Sequence, residues 1–218
     1  MRRLAALGAV LLGLLLLVVA QLVLPGVAEQ RIRDQLQGSG QVLSVHVSAF
    51  PAIELLWHHA DSVDVRLGRY SSTPAHLSSL LDQARNVGTL TASARAVQTG
   101  LLTLQDAILH KHGDQLTGSA HVTEADVRSA LPILRSVTPV ASEDGRLTVR
   151  GTATLFGVSA TVDATVGAQD GKLVVVPDVP FGGLATITVF SDPRVAVQSV
   201  GATTTGDGFV VHATARLR

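Results

Sequence analysis

Eight histidines are the residues of this chain best suited to chemistry, and their spacing decides what they could do. His110 and His112 would put two imidazoles on one face of a strand, where zinc could take them together with a carboxylate such as Asp114. His58 and His59 are neighbours. On a helix they diverge by about 100°, so they converge on one ion only with a partner from elsewhere. Both pairs read as solvated histidines beside turns, and no metal is expected. Nucleophilic chemistry finds no better footing, because no Gly-x-Ser-x-Gly elbow is present and the serines fall in turns and on helix surfaces. Glu124 with Asp126, and Glu143 with Asp144, read as helix-cap and turn carboxylates rather than acid/base pairs. No Gly-rich loop joins a strand to a helix in the manner that cradles phosphate. The absence of cysteine excludes thiolate catalysis, a disulfide framework and a lipid anchor on an N-terminal cysteine. The expectation is a protein that is not an enzyme and carries no cofactor.

Charge narrows the partners. Lys and Arg number 17, as do Asp and Glu, and the lysines are Lys111 and Lys172 alone, so no basic face exists to neutralise a phosphate backbone. No nucleic acid is expected. Aromatic residues are 3% of the chain, and the core must therefore be assembled from Val, Leu and Ala on many strands. The 21 residues Leu4–Leu24 carry no charge and would span about 31 Å as a helix, enough to cross a bilayer. Arg2 and Arg3 before them favour an N-inside orientation, which places everything after Pro25 outside the cytoplasm. Residues 1–28 thus read as a signal anchor, or as a signal peptide cut after the small residues Gly26-Val27-Ala28. Residues 29–218 read as a single domain.

The elements that must position any site follow from periodicity. Val27 to Leu36 is a weakly amphipathic helix ending at Gly38-Ser39-Gly40, and it joins the membrane segment to the domain. Val42–Val47 and Ser62–Leu67 are strands, and the stretch between them switches to a helical period with Ile53, Leu56, Trp57 and Ala60 on one face. Thr73 and Pro74 open a second helix that Gly88 closes. Thr123 and Asp126 form a capping pattern for a third, with Val127, Ala130, Leu131 and Leu134 as its apolar face and Pro132 kinking or shortening it. Strands fill Thr89–Val122, and the text from Gly145 onward is all strand and turn, giving about nine strands. The fold class is α+β: an elongated, curved, mainly antiparallel sheet, a partial barrel, with about three helices, preceded by the N-terminal hydrophobic helix.

A long sheet of small aliphatic residues can close on its own core or curl around a hydrocarbon ligand. Phe50, Ile53, Leu56, Trp57, Phe156 and Phe181 are the candidates for lipid contact, with ordinary core as the competing role for each. An apolar segment is followed by "VAEQRIRDQL", then "AFPAIELLWHHADSVDVRL", "GDQLTGSAHVTEADVRSAL" and "GRLTVRGTATLFGVSATVDATVGAQDGKLVVVP". This order of parts, from Val27 to Arg218, resembles the LmeA-like phospholipid-binding proteins of the actinobacterial cell envelope. Phe50 and Pro51 match that family's first turn, while Ala49, Ala52, Glu54 and Ala60 stand where Gly, Phe, Gln and Gly are usual. The resemblance implies a tubular lipid-binding-like fold and a phospholipid partner, phosphatidylinositol-type lipids included. Its location would be the plasma membrane, by the N-terminal helix, or the cell envelope or periplasm once secreted. An interaction module docking an envelope protein is the alternative, and an envelope hydrolase the third.

The orientation is open to a direct check. A reporter enzyme fused after residue 40 is expected to be active only outside the cytoplasm, and cytoplasmic activity would contradict the charge pattern of Arg2 and Arg3.

Overall fold

The computed structural model describes residues 21, 23–50, 52, 55, 59–71, 84–99, 102–130, 134–155, 158–178 and 186–218. Twelve strands and two helices make up these residues. Helix α1 covers residues 23–37. It is followed by β1 (Gly40–Ser48), β2 (Ala60–Ser71), β3 (Val87–Thr99), β4 (Leu102–His112) and β5 (Gln115–Thr123). Helix α2 (Glu124–Ala130) leads into β6 (Leu134–Glu143), β7 (Arg146–Leu155), β8 (Val158–Gln169), β9 (Lys172–Pro177) and β10 (Ile187–Phe190). The chain ends on β11 (Val195–Thr204) and β12 (Gly208–Leu217).

The protein is mainly antiparallel β, as the alternation of Val and polar residues demands, but the strands divide into two open sheets instead of one. The larger sheet has the order β1-β2-β3-β4-β5-β12-β11, and the smaller is the meander β10-β9-β8-β7-β6. Only β2 and β3 are parallel among the described pairs. A parallel pair needs a crossover of a dozen or more residues, which residues 72–86 supply. The helix expected there lies outside the described residues, apart from one helical residue at Ala84 and a turn at 85–86. Gly88, expected to end that helix, is instead the second residue of β3. The N-terminal hydrophobic run also falls mostly outside. Among the described residues no helix is long and apolar enough to cross a membrane.

Two local differences from expectation have clear causes. α1 starts before Val27 and takes in Pro25, the third residue of its described span, where proline's fixed φ already suits the helix. α2 is described as far as Ala130, and Leu134, expected on its apolar face, belongs instead to β6; a proline at 132 argues against an uninterrupted helix reaching 134. The cap itself forms as the Thr-x-x-Asp pattern requires. Asp126 N–H donates to Thr123 Oγ1 at 3.1 Å, and the Thr123 hydroxyl donates to Asp126 Oδ2 at 2.7 Å. Gln105 Nε2 reaches the same carboxylate at 2.9 Å and ties α2 to β4.

The sheets meet where β11, the edge strand of the larger one, receives two hairpin tips of the smaller. Val197 N–H donates to the Gly171 carbonyl at 2.8 Å and Val200 N–H to the Gly145 carbonyl at 2.9 Å. Both tips are two-residue Asp-Gly turns with positive φ throughout: 50° and 71° at Asp144-Gly145, 53° and 77° at Asp170-Gly171. Such turns match the twist of the flanking strands. A Cβ on Gly145 would lie 2.8 Å from Ser199 Cβ, so glycine is needed there for space as well as for φ. Phe190 of β10 adds an apolar bond between the sheets by packing on Leu116, Val195 and Leu217.

Gly145→Ala is accordingly expected to lower unfolding stability by about 1–2 kcal/mol or more, from the positive φ alone. Urea denaturation measures it, and an unchanged midpoint would show that the turn does not hold β11. The α2 cap gives a pH-dependent counterpart. Hydrogen bonding to Thr123, chiefly, depresses the Asp126 pKa in the fold, with Gln105 and His121 adding to it against desolvation. A depressed carboxylate contributes stability above its unfolded pKa of about 3.9 and loses it as pH falls through the lower folded value. Asp126→Asn should therefore cost about 1–2 kcal/mol at pH 7. That gap should close below about pH 4; a gap that persists in acid would assign the cost to something other than the charge.

Candidate functional site: an apolar cavity under helix α1

The inner face of the larger sheet is written by alternate residues carried across in register. Val45 lies opposite Val65 and Val47 opposite Val63 between β1 and β2. Val63, Val65 and Leu67 then face Leu90, Ala92 and Ala94 of β3, and these in turn face Lys111, Leu109 and Ala107 of β4. Branched residues make this face thick over β1 and β2, while Ala92, Ala94 and Ala107 leave it thin at the middle of β3 and β4. α1 covers the thick side, with Ala28, Ile32 and Leu36 packed on the Val45, Val47, Val63, Val65 cluster. Over the thin side lies a cavity of about 320 Å³. α1 contributes Ile32 and Leu36 to it, β2 contributes Val63, Val65, Leu67 and Tyr70, and β3 and β4 add Val87, Leu90, Ala92, Ala94, Val97, Ala107 and Leu109. Its size is at the small end of ligand pockets, and its lining is almost wholly aliphatic.

The covering helix is pinned by polar contacts along the free edge of β1. Val47 N–H, unpaired on that edge, donates to Glu29 Oε1 at 3.1 Å, and His46 Nδ1 sits at 3.1 Å from the same oxygen. Gln21 clasps the chain beyond β1: its Nε2 donates to the Ala49 carbonyl at 3.2 Å, and its Oε1 accepts from Ala52 N–H at 2.8 Å. α1 thus serves as both edge cap and cavity wall.

Two polar side chains break the apolar face. Lys111 is 4% exposed and donates from Nζ to the Val87 carbonyl. Burial lowers its pKa, while the Asp114 charge acts in the opposite direction. Tyr70 is 6% exposed, and its hydroxyl is buried without a hydrogen-bond partner among the described residues. Such an orphan costs about 1–3 kcal/mol. Tyr70 reaches this face only because the pairing slips: Val42 lies opposite Leu67 but Gly40 opposite Tyr70, so three residues of β2 oppose two of β1. A Cβ on Gly40 would come within 2.4 Å of the Arg69 carbonyl oxygen, so glycine admits that close approach.

Of the six residues singled out for lipid contact, Phe50 is described and 77% exposed, its N–H held by Asp61 Oδ2 at 2.7 Å. Ile53, Leu56, Trp57, Phe156 and Phe181 lie outside the described residues. None of the six is among the described cavity residues. Tyr70 was missed because it is out of step with the Val63, Val65, Leu67 alternation. The available signal was Gly68, a glycine inside a strand, which often marks a bulge. His110 and His112 do share the outer face of β4, where His110 meets Thr91 Oγ1 at 3.3 Å. Among the described residues no group of three potential ligands could hold a metal ion.

A second hollow, about 310 Å³, lies between the β6–β7 turn and β11, and Ser142, Asp144, Ser199 and His212 line it. Ser199 and Thr214 bond each other at 2.6 Å, and Ser142 Oγ accepts from Ala202 N–H at 3.2 Å. No serine there is joined to His212, and a nucleophile needs its base within hydrogen-bond reach.

Comparison with known proteins gives one match that carries weight. No curated protein matches the chain. Among solved structures, the STAR-related lipid transfer protein from Xanthomonas axonopodis is similar over 58% of this chain and 81% of its own, at 10% identity and a TM-score of 0.18, a superposition too poor to bear on fold or function. The family model described as LmeA-like phospholipid-binding, by contrast, matches residues 17–215, and so takes in α1, both sheets and the cavity between helix and strands. By that match, the chain belongs to the LmeA-like phospholipid-binding family.

Proposed function

We propose that this protein binds a phospholipid with an acyl chain in the cavity under α1, and that it carries or presents that lipid in the cell envelope without catalysing a reaction. The observation that carries the reading is an aliphatic cavity of about 320 Å³ within a chain of a phospholipid-binding family. A methylene occupies roughly the volume of one water, ~30 Å³, so the cavity has room for on the order of ten. At about 0.8 kcal/mol per buried CH₂, that would contribute about 8 kcal/mol before ordering costs. The larger part of that gain needs no charged group.

The finer points of the proposal rest on the sequence. The apolar run before α1 supports attachment to the plasma membrane with the folded part outside the cytoplasm, or release into the envelope or periplasm if the segment is cleaved. Phosphatidylinositol-type lipids are among the ligands to try first. Starting at residue 21 keeps the Gln21 clasp on the chain beyond β1. The protein from that residue onward, purified without detergent, is expected to show a stoichiometric lipid adduct in native mass spectrometry and to take up lipid from vesicles. Neither adduct nor uptake would end the lipid reading and leave the docking of an envelope protein in its place.

A further inference from the structure

We propose that the Phe50 ring seats in the membrane surface, so that the folded part stands on the bilayer by the end at which α1 begins; this rests on the reading of residues 4–24 as a membrane segment. Phe50 is 77% exposed, more than any other large apolar residue among those described. Single exposed apolar side chains are ordinary on a protein surface, and what sets Phe50 apart is where the fold holds it. Its N–H donates to Asp61 Oδ2 at 2.7 Å, and the Ala49 carbonyl just before it accepts from Gln21 Nε2 at 3.2 Å. Beyond it, Ala52 N–H donates to Gln21 Oε1 at 2.8 Å. With the backbone held on both sides, the ring is presented outward by a fixed frame, and little ordering is left for membrane contact to impose.

Gln21 identifies the occupant. It lies inside the uncharged run Leu4–Leu24, three residues before its end, or about 5 Å along a helix. A run that crosses the bilayer brings its last residues to the membrane surface, and with them the Ala49 and Ala52 backbone that Gln21 holds. Val23, two residues further on, is 55% exposed and adds apolar surface at the same end of α1. Asp61 beside Phe50 is itself exposed, which limits the ring to the boundary between headgroups and acyl chains. The strand register carries the consequence to the cavity. Val63 and Leu90, which line it, stand in one row with Val47, three residues before Phe50. That end of the cavity is the one nearest the membrane, and lipid passing between bilayer and cavity meets it first.

The chain has no cysteine, so one introduced by substitution takes a spin label alone. Full-length protein carrying Phe50→Cys, Leu43→Cys or Leu14→Cys is labelled with a nitroxide and reconstituted in vesicles of phosphatidylcholine and phosphatidylglycerol. Collision of each label with oxygen, which concentrates in lipid, is compared with its collision with a water-soluble nickel chelate. Leu43 is the control for exposed apolar surface: it is 46% exposed on β1, about 17 Å from Ser48 at roughly 3.3 Å per residue. Leu14 lies within the uncharged run and reports on the membrane segment. The oxygen-to-nickel ratio at position 50 is expected to be several-fold above that at 43 and to approach that at 14. A ratio at 50 no higher than at 43, with 14 in lipid, overturns the seating of Phe50, leaves the membrane segment intact and turns the ring over to a protein partner. Ratios equally high at 43 and 50 overturn it as well, because β1 would then lie along the membrane. A low ratio at 14 overturns the membrane reading itself, and the proposal with it.

Discussion

The structure depends on keeping one apolar sheet face out of water with side chains too small to cover it themselves. Val45, Val47, Val63, Val65 and Leu67 bury well, but the face continues through Ala92, Ala94 and Ala107, which project little. A large aromatic laid across the alanines would have sealed the gap, and the composition supplies few. α1 takes that part instead. Because a helix is a rigid rod and the face beneath it is thick at β1 and thin at the alanines of β3 and β4, the two surfaces cannot match along their whole width. The mismatch is the cavity. It follows from the same choice of residues that makes the strands.

The free edges show how the rest is arranged around that constraint. A seven-stranded open sheet ends in two unpaired strands, each liable to pair with another chain. β1 is covered by α1 through Glu29 and the Gln21 clasp, so the element that hides the apolar face also hides the edge. β11 is covered by the Asp-Gly tips of the smaller sheet, and the Gly145 and Gly171 carbonyls take its outward N–H groups. In the smaller sheet the edge strand β6 holds Pro139 beside a register shift, which blunts it for further pairing. Packing and edge protection are thus met by the same contacts.

Most of the strands were legible because each has a half-buried face and a two-residue period, as in Val63, Val65, Leu67 or in Leu147–Leu155. The Thr123–Asp126 cap was legible for a different reason: it is local, and four residues contain all of it. β6 was not, because Pro139 lowers any strand reading and Leu134 continues a helical spacing from Val127. The division into two sheets was invisible to periodicity, which records which face of a strand is wet but not which strand lies beside it. The cavity was equally hidden. Its walls are ordinary aliphatic residues, and what makes them a site is the slip at Gly68 and the height of α1 above alanines, both set by tertiary contacts.

Lys111 and Tyr70 show that a polar group on such a face can be answered within the fold or left unanswered. Both stand where the pattern calls for aliphatics, and both are nearly sealed. Lys111 lays its methylene stem along the face and delivers its ammonium to the Val87 carbonyl, at the start of the parallel β2–β3 pair. Its burial is thereby compensated within the fold, and it works as a tie between β4 and the first residue of β3. Tyr70 has a ring that packs as well as any phenylalanine would, and a hydroxyl that the fold leaves unanswered. Stability alone favours Phe at that position, since the oxygen is desolvated for no return. The two residues thus differ in what the fold returns for desolvating a polar atom: a tie between strands for Lys111, and ring packing alone for Tyr70.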